Sequence, residues 1–186
     1  MLSLILLSLV AAPPENQLKS PKDWTSESIQ LPPSFAPTLS FQGWEQVKFS
    51  PQMFDPSSER FFSYVVCFEI DNKKTMTRQA LAEQLLIYYR GLAHTVSRGK
   101  ITTTKFRWEW MEREKSLSVE RGRLHWTEPF RTNKPQTLFI ESNWWTHKDQ
   151  LHIFLCVSSA DWKHDVWKDL RRIRDQHLGK RDGQTK

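Results

Sequence analysis

The chain has 186 residues, of which 38% are hydrophobic, 12% aromatic and 26% charged, which suits one folded domain and excludes both global disorder and a pair of full-sized enzyme domains. Six glycines and two cysteines exclude a collagen-like chain, a disulfide-dense miniprotein and a multi-cysteine zinc domain. A net charge of +6 favours acidic partners, although part of the excess gathers at Arg171, Arg172, Arg174, Lys180 and Arg181, where a basic helix face is ordinarily solvated.

Residues 1–12, MLSLILLSLVAA, form an uncharged apolar run too short to span a bilayer and of signal-peptide length. Export to the periplasm or the medium is therefore expected, with no transmembrane anchor. The run lacks a preceding Lys or Arg, and cleavage after Ala12 would set Pro13 beside the cut. Residues 13–23 read as a linker and residues 24–186 as a single domain.

From Trp24 to Pro37, apolar anchors alternate with prolines that forbid helix, so this stretch is expected to lie extended over the core. Residues 45–50, EQVKFS, alternate as a short strand, and Asp55-Pro56-Ser57-Ser58 carries turn chemistry. The run Phe61 to Ile70 is a strong strand whose even positions are all apolar, and a turn follows at Asp71-Asn72. Thr77 is placed to cap a helix that runs to about Arg98, where Gly99 supplies the left-handed stop, and Leu81, Leu85, Tyr88, Leu92 and Val96 form its apolar stripe. Strands follow at 101–114, 119–127, 137–145 and 151–158, then a second helix after Ser158 or Ser159 that stacks Trp162, Val166, Leu170 and Ile173 and stops at Gly179.

This order predicts an α+β fold, a single antiparallel β-sheet of about six strands with two amphipathic helices packed on one face. A sheet curled into a half-open cone around a binding cavity is the alternative.

The chain has no Gly-rich phosphate loop, no G-x-S-x-G elbow, no H-E-x-x-H and no C-x-x-C, so no catalytic residue, metal or cofactor is assigned. His147 and His152, with Asp149 between them, could offer zinc ligands, but surface polarity of a hairpin is the better account, because the sequence places no third strong ligand beside them. Cys67 and Cys156 fall on the strand side opposite the expected core and would be separate thiols, or a disulfide if their strands are adjacent. Nine tryptophans invite a stacking role, yet most sit on core stripes; of the adjacent pair Trp144-Trp145, one must leave the core face.

The sharpest constellation is the second face of the later strands, where Lys105, Arg107, Arg121, Arg123 and His125 project together. Such a face could hold a phosphate, a carboxylate or an acidic glycan, or it could be a solvated face laced with ion pairs.

The phrases L-P-P-S-F-A-P at Leu31–Pro37, F-S-P-Q-M-F-D-P at Phe49–Pro56, F-F-S-Y at Phe61–Tyr64 and Y-Y-R-G-L at Tyr88–Leu92 resemble a family of small uncharacterised exported bacterial proteins. The resemblance implies export and a single domain, and nothing catalytic. The expected function is a non-catalytic binding or accessory protein that takes an anionic small molecule or glycan, or a protein partner, with nucleic acid disfavoured by export. The alternative is a small hydrolase or isomerase with a pocket between the sheet and the proline segment and Glu69, Glu109 or His125 as acid or base.

Overall fold

The computed structural model describes residues 14–71, 75–113 and 119–182, with side chains as far as 179. The leader-like segment, Pro13, Asn72 of the expected turn, residue 114 and the side chains of Lys180 and Arg181 lie outside the described residues.

The strands are β1 (Thr25–Leu31), β2 (Gly43–Phe49), β3 (Tyr64–Ile70), β4 (Arg107–Trp110), β5 (Glu120–Thr127), β6 (Pro135–His147) and β7 (Gln150–Ser158), with helices α1 (Arg78–Val96) and α2 (Val166–Asp182). All seven strands make one antiparallel sheet in the order β1-β2-β3-β7-β6-β5-β4, so the predicted α+β class with a single antiparallel sheet holds. The added strand is β1. Its prolines begin only at Pro32, and as an edge strand it tolerates them as neighbours. The expected strand at 101–114 is shorter, because Thr103–Lys105 takes a 3-10 turn and only Arg107–Trp110 pairs with β5.

The two helices do not share a face. Tyr64, Val66, Phe68 and Ile70 of β3 pack with Leu81, Leu85, Tyr89 and Ala93 of α1 in the larger core. The alternate residues Val65 and Cys67, with Phe154 and Cys156 of β7, pack instead with Trp167, Leu170 and Ile173 of α2. β3 and β7 are adjacent strands near the middle of the sheet, nearly apolar on both sides, and such strands demand cover on both faces. The helix also starts later than expected, at Val166, leaving Trp162 in the preceding turn and Gly179 inside the helix.

The caps follow local chemistry. The Thr77 hydroxyl accepts from the Ala80 amide at 3.1 Å, and beyond Ser97 the backbone turns left-handed at Arg98 and Gly99, with φ of 52° and 76°. Gly91 serves a different purpose: a Cβ there would lie 2.1 Å from the Phe35 carbonyl oxygen, so glycine lets the proline segment rest directly on α1. Gly91→Ala is expected to destabilise the protein by about 1–3 kcal/mol through overpacking, despite alanine's better helix propensity, as a lower urea midpoint would register.

Residues 14–23, read as a linker, lie against the α2 side of the sheet: Leu18 is buried beside Trp24, the Asn16 side chain donates to the Glu27 and Val47 carbonyls, and the Gln17 amide donates to Gln46 Oε1 at 2.6 Å. Among the described residues, no helix is long and apolar enough to cross a membrane.

Candidate functional site

On the α1 side, β1, β2 and β3 end in a cavity of about 180 Å³. Strand alternation sets its floor: Glu27 and Ile29 of β1, Glu45, Val47 and Phe49 of β2, and Tyr64 of β3 all point the same way. Tyr88 and Leu92 of α1 form the roof, and Phe35 closes one side, edge-on to Tyr88 with ring centres 5.0 Å apart. Met53, Phe54 and Phe62 come from the β2–β3 loop and Phe130 from the β5–β6 loop. Phe130 is held there by Glu128, a fully buried carboxylate that accepts from the backbone amides of Phe130, Arg131 and Thr132.

The chemistry of the cavity is set by Glu45, 1% exposed at the base. The Tyr88 hydroxyl donates to its Oε1 at 2.7 Å, whereas Oε2 is buried and meets no hydrogen-bond partner among the described residues. Burial pushes the carboxyl up to about 7, with the nearby Glu27 charge adding to the rise and the Tyr88 bond opposing it. Burial likewise raises the hydroxyls of Tyr64, Tyr88 and Tyr89 above the ordinary phenol value, and Tyr64 and Tyr89 are hydrogen-bonded to each other. Seven aromatic rings and two carboxylates line the cavity, and no Lys or Arg does among the described residues. Phe54, at 37% exposed, stands at the mouth, and the Arg131 guanidinium lies 5.9 Å from its ring centre, so one cation already uses an aromatic face of this wall.

The basic residues expected to form the site are on the pages of the sheet that the alternation indicated, but they are divided among different partners. Arg121 of β5 lies opposite Glu141 of β6 and donates to its carboxylate through Nε at 3.1 Å and Nη2 at 3.0 Å. Arg171 and Arg174 of α2 reach the same carboxylate, at 2.9 and 2.8 Å. Arg123 stacks over Phe139 and Trp162, with its guanidinium carbon 5.5 and 5.4 Å from the ring centres. His125 sits between Glu109, at 3.3 Å, and the Thr137 hydroxyl, at 3.1 Å. Arg107 is opposite His125 on edge strand β4 and exposed; Lys105 precedes it in the 3-10 turn. Lys105 also borders, with Arg98 and Lys100, a broad groove of about 760 Å³.

The catalytic alternative sets its pocket between the sheet and the proline segment, whereas the cavity lies between the sheet and α1 with Phe35 of the proline segment at one side. Its carboxyls are Glu45 and Glu27; Glu109 and His125 are on the other end of the sheet, and Glu69 is on the opposite face, bonded to Gln46 Nε2 at 3.1 Å. One signal in the sequence points to Glu45. In EQVKFS the glutamate shares the strand phase of Val47 and Phe49, so an acid occupies an apolar position. The helical spacing puts Tyr88 and Leu92 on the core stripe, but the fully buried line is Leu81, Leu85, Tyr89 and Ala93, which frees the other two for the cavity roof.

Comparison with known proteins finds no matching family model, no matching curated protein and no matching solved structure. The resemblance to small exported bacterial proteins rests on the quoted phrases alone.

Proposed function

We propose that this chain is an exported, non-catalytic binding protein whose ligand is a small organic cation, an ammonium group on a short apolar body, seated in the aromatic cavity over Glu45. The observation that carries the reading is the Glu45 carboxyl itself, buried under aromatic rings with one oxygen lacking a partner. Aromatic faces and a carboxylate together complement a desolvated cation. The volume is right for such a guest, since a dry cavity of about 150 Å³ accommodates benzene. The apolar start of the chain supports the export part of the proposal. An anionic ligand on the basic residues is the weaker reading, because Arg121 shares a buried carboxylate and Arg123 lies flat on two rings.

The test is a thermal-shift series with choline and benzylamine, the uncharged carbon isostere of choline, and inorganic phosphate. A probe at about 100 times its Kd stabilises by about 2.7 kcal/mol. Choline or benzylamine is expected to raise the midpoint, with little effect from the neutral isostere, and Glu45→Gln is expected to erase the difference between charged and uncharged probes. A shift from phosphate alone, lost on replacing Arg107 and Arg121 by Ala, would overturn the cavity reading in favour of the basic residues. Equal shifts from choline and its isostere would overturn the role of charge.

A further inference from the structure

On the opposite face of the sheet from the cavity, three metal-ligating side chains converge and a fourth, from α2, reaches one of them. Cys67 and Glu69 lie two residues apart on β3 and so point to the same side, and His152 of β7 is the cross-strand partner of Glu69. The Cys67 sulfur, a Glu69 carboxylate oxygen and a His152 ring nitrogen all lie within 4.8 Å of one another. His177 descends from α2 with its Nε2 3.8 Å from the Cys67 sulfur. We propose that Cys67, Glu69, His152 and His177 form a zinc site, unrelated to the cavity over Glu45.

The Cys67–His177 distance suits a shared ion. Tetrahedral zinc holds sulfur at about 2.3 Å and imidazole nitrogen at about 2.0 Å, which sets the two donors about 3.6 Å apart. The Cys67–His177 separation is already close to that, and the Cys67, Glu69 and His152 donors lie within 4.8 Å of one another, so a tetrahedron closes when His177 and the three strand ligands draw together around the ion. A thiolate, two imidazoles and a carboxylate select a borderline-soft ion over magnesium or calcium, and zinc accepts the tetrahedron without oxidising the thiol.

The surroundings support the ligands in the way metal sites require. Gln46 Nε2 donates to Glu69 Oε1, and the Gln46 amide is itself oriented by the Gln17 N–H, which donates to its oxygen. Trp145 of β6 lies flat on the His152 ring, 4° from parallel with centres 5.2 Å apart. Phe154 and Trp145 flank His177 at 5.4 and 6.1 Å. Cys67 is wholly buried, while Glu69 and His152 are half-buried, so an ion enters past the carboxylate and the imidazole. His152 thus turns inward towards Cys67; its hairpin companion His147 stands with its ring centre 6.3 Å from that of His152.

The experiment uses the full chain, stripped with a chelator and titrated with zinc against a chromophoric competitor, and separately with cobalt read by visible absorption. One equivalent of zinc is expected to bind, and cobalt is expected to give tetrahedral d–d bands with a thiolate charge-transfer band. Cys67→Ser should abolish the charge-transfer band. Glu69→Gln and His177→Gln should weaken zinc by more than the ~10–100-fold loss that removal of an outer partner causes, and they keep the test open if Cys67→Ser fails to fold. His147→Gln should leave binding unchanged. Failure to bind stoichiometric zinc, or binding lost in His147→Gln and retained in His177→Gln, would overturn the site.

Discussion

Glu141→Ala is expected to destabilise the protein by about 3–5 kcal/mol, seen as a fall in the urea midpoint with an unchanged m-value. Glu141 is 1% exposed, and its two oxygens receive Arg121 from β5 and Arg171 and Arg174 from α2. Among the described residues Glu141 is the one anion that all three share; Arg174 also meets Asp175 at 2.9 Å, but losing the shared carboxylate leaves three like charges close together in a half-buried layer, a penalty that exceeds the ordinary value of a surface pair. Arg121→Ala should cost less, because two guanidinium groups still satisfy the carboxylate. Burial alone would raise the Glu141 carboxyl, but the hydrogen bonds and charges of Arg171, Arg121 and Arg174 hold it below the ordinary value. Since the folded value is the lower one, the stabilisation is complete above the ordinary carboxylate range and fades as pH falls through the depressed value. The isosteric Glu141→Gln should therefore approach the wild type in acid. A loss under about 1 kcal/mol at neutral pH for Glu141→Ala would show that α2 is held by its apolar stripe alone.

Much of this fold was legible because much of it is local. Thr77 and Gly99 bracket α1 by their own chemistry, and the two-residue alternation assigns a face to each residue of β3, β5 and β7 without any knowledge of neighbours. Alternation also separated Trp144 from Trp145, which pack into the opposite cores. It does not give strand order. The pairing of β3 with β7 brings Glu69 to His152, residues far apart in the chain, and only then does the α2 residue His177 acquire neighbours. The face taken by α2 was missed for a related reason: Val65, Cys67, Phe154 and Cys156 look like a mixed sheet side one strand at a time, and become an apolar floor only when β3 and β7 are adjacent. The same adjacency sets Cys156 opposite Val65 and Cys67 opposite Phe154, so the two sulfurs sit on one face, diagonal to each other, with no disulfide between them. The basic set had the right face and the wrong surroundings, because Arg121 and Arg123 are engaged by Glu141 and Phe139 of the neighbouring β6 and by Trp162 of the turn before α2, and α2 adds two more arginines to Glu141.

Glu45→Gln is expected to make the protein more stable than the wild type above pH 7, by about 3 kcal/mol, and nearly equal to it below about pH 4.5. The carboxyl titrates at about 7 in the folded chain against an ordinary value of 4.5, burial being the main cause. With the folded value the higher, the protonated group favours the folded state below 4.5, and that advantage drains away as pH rises to about 7. Glu141 acts in the reverse direction and only in acid, so the two windows separate. Urea denaturation of both proteins from pH 4.5 to 8 measures the gap, and parallel profiles would sink the assignment. A bound organic cation favours the ionised carboxylate and must therefore pull its titration down, which by linkage ties binding to release of the Glu45 proton. Affinity for benzylamine, itself charged throughout this range, is then expected to rise by up to about tenfold per pH unit below 7 and to level off above it. In Glu45→Gln the profile should be flat, and a wild-type profile that is equally flat would mean that the cation, if it binds, does so away from this carboxyl.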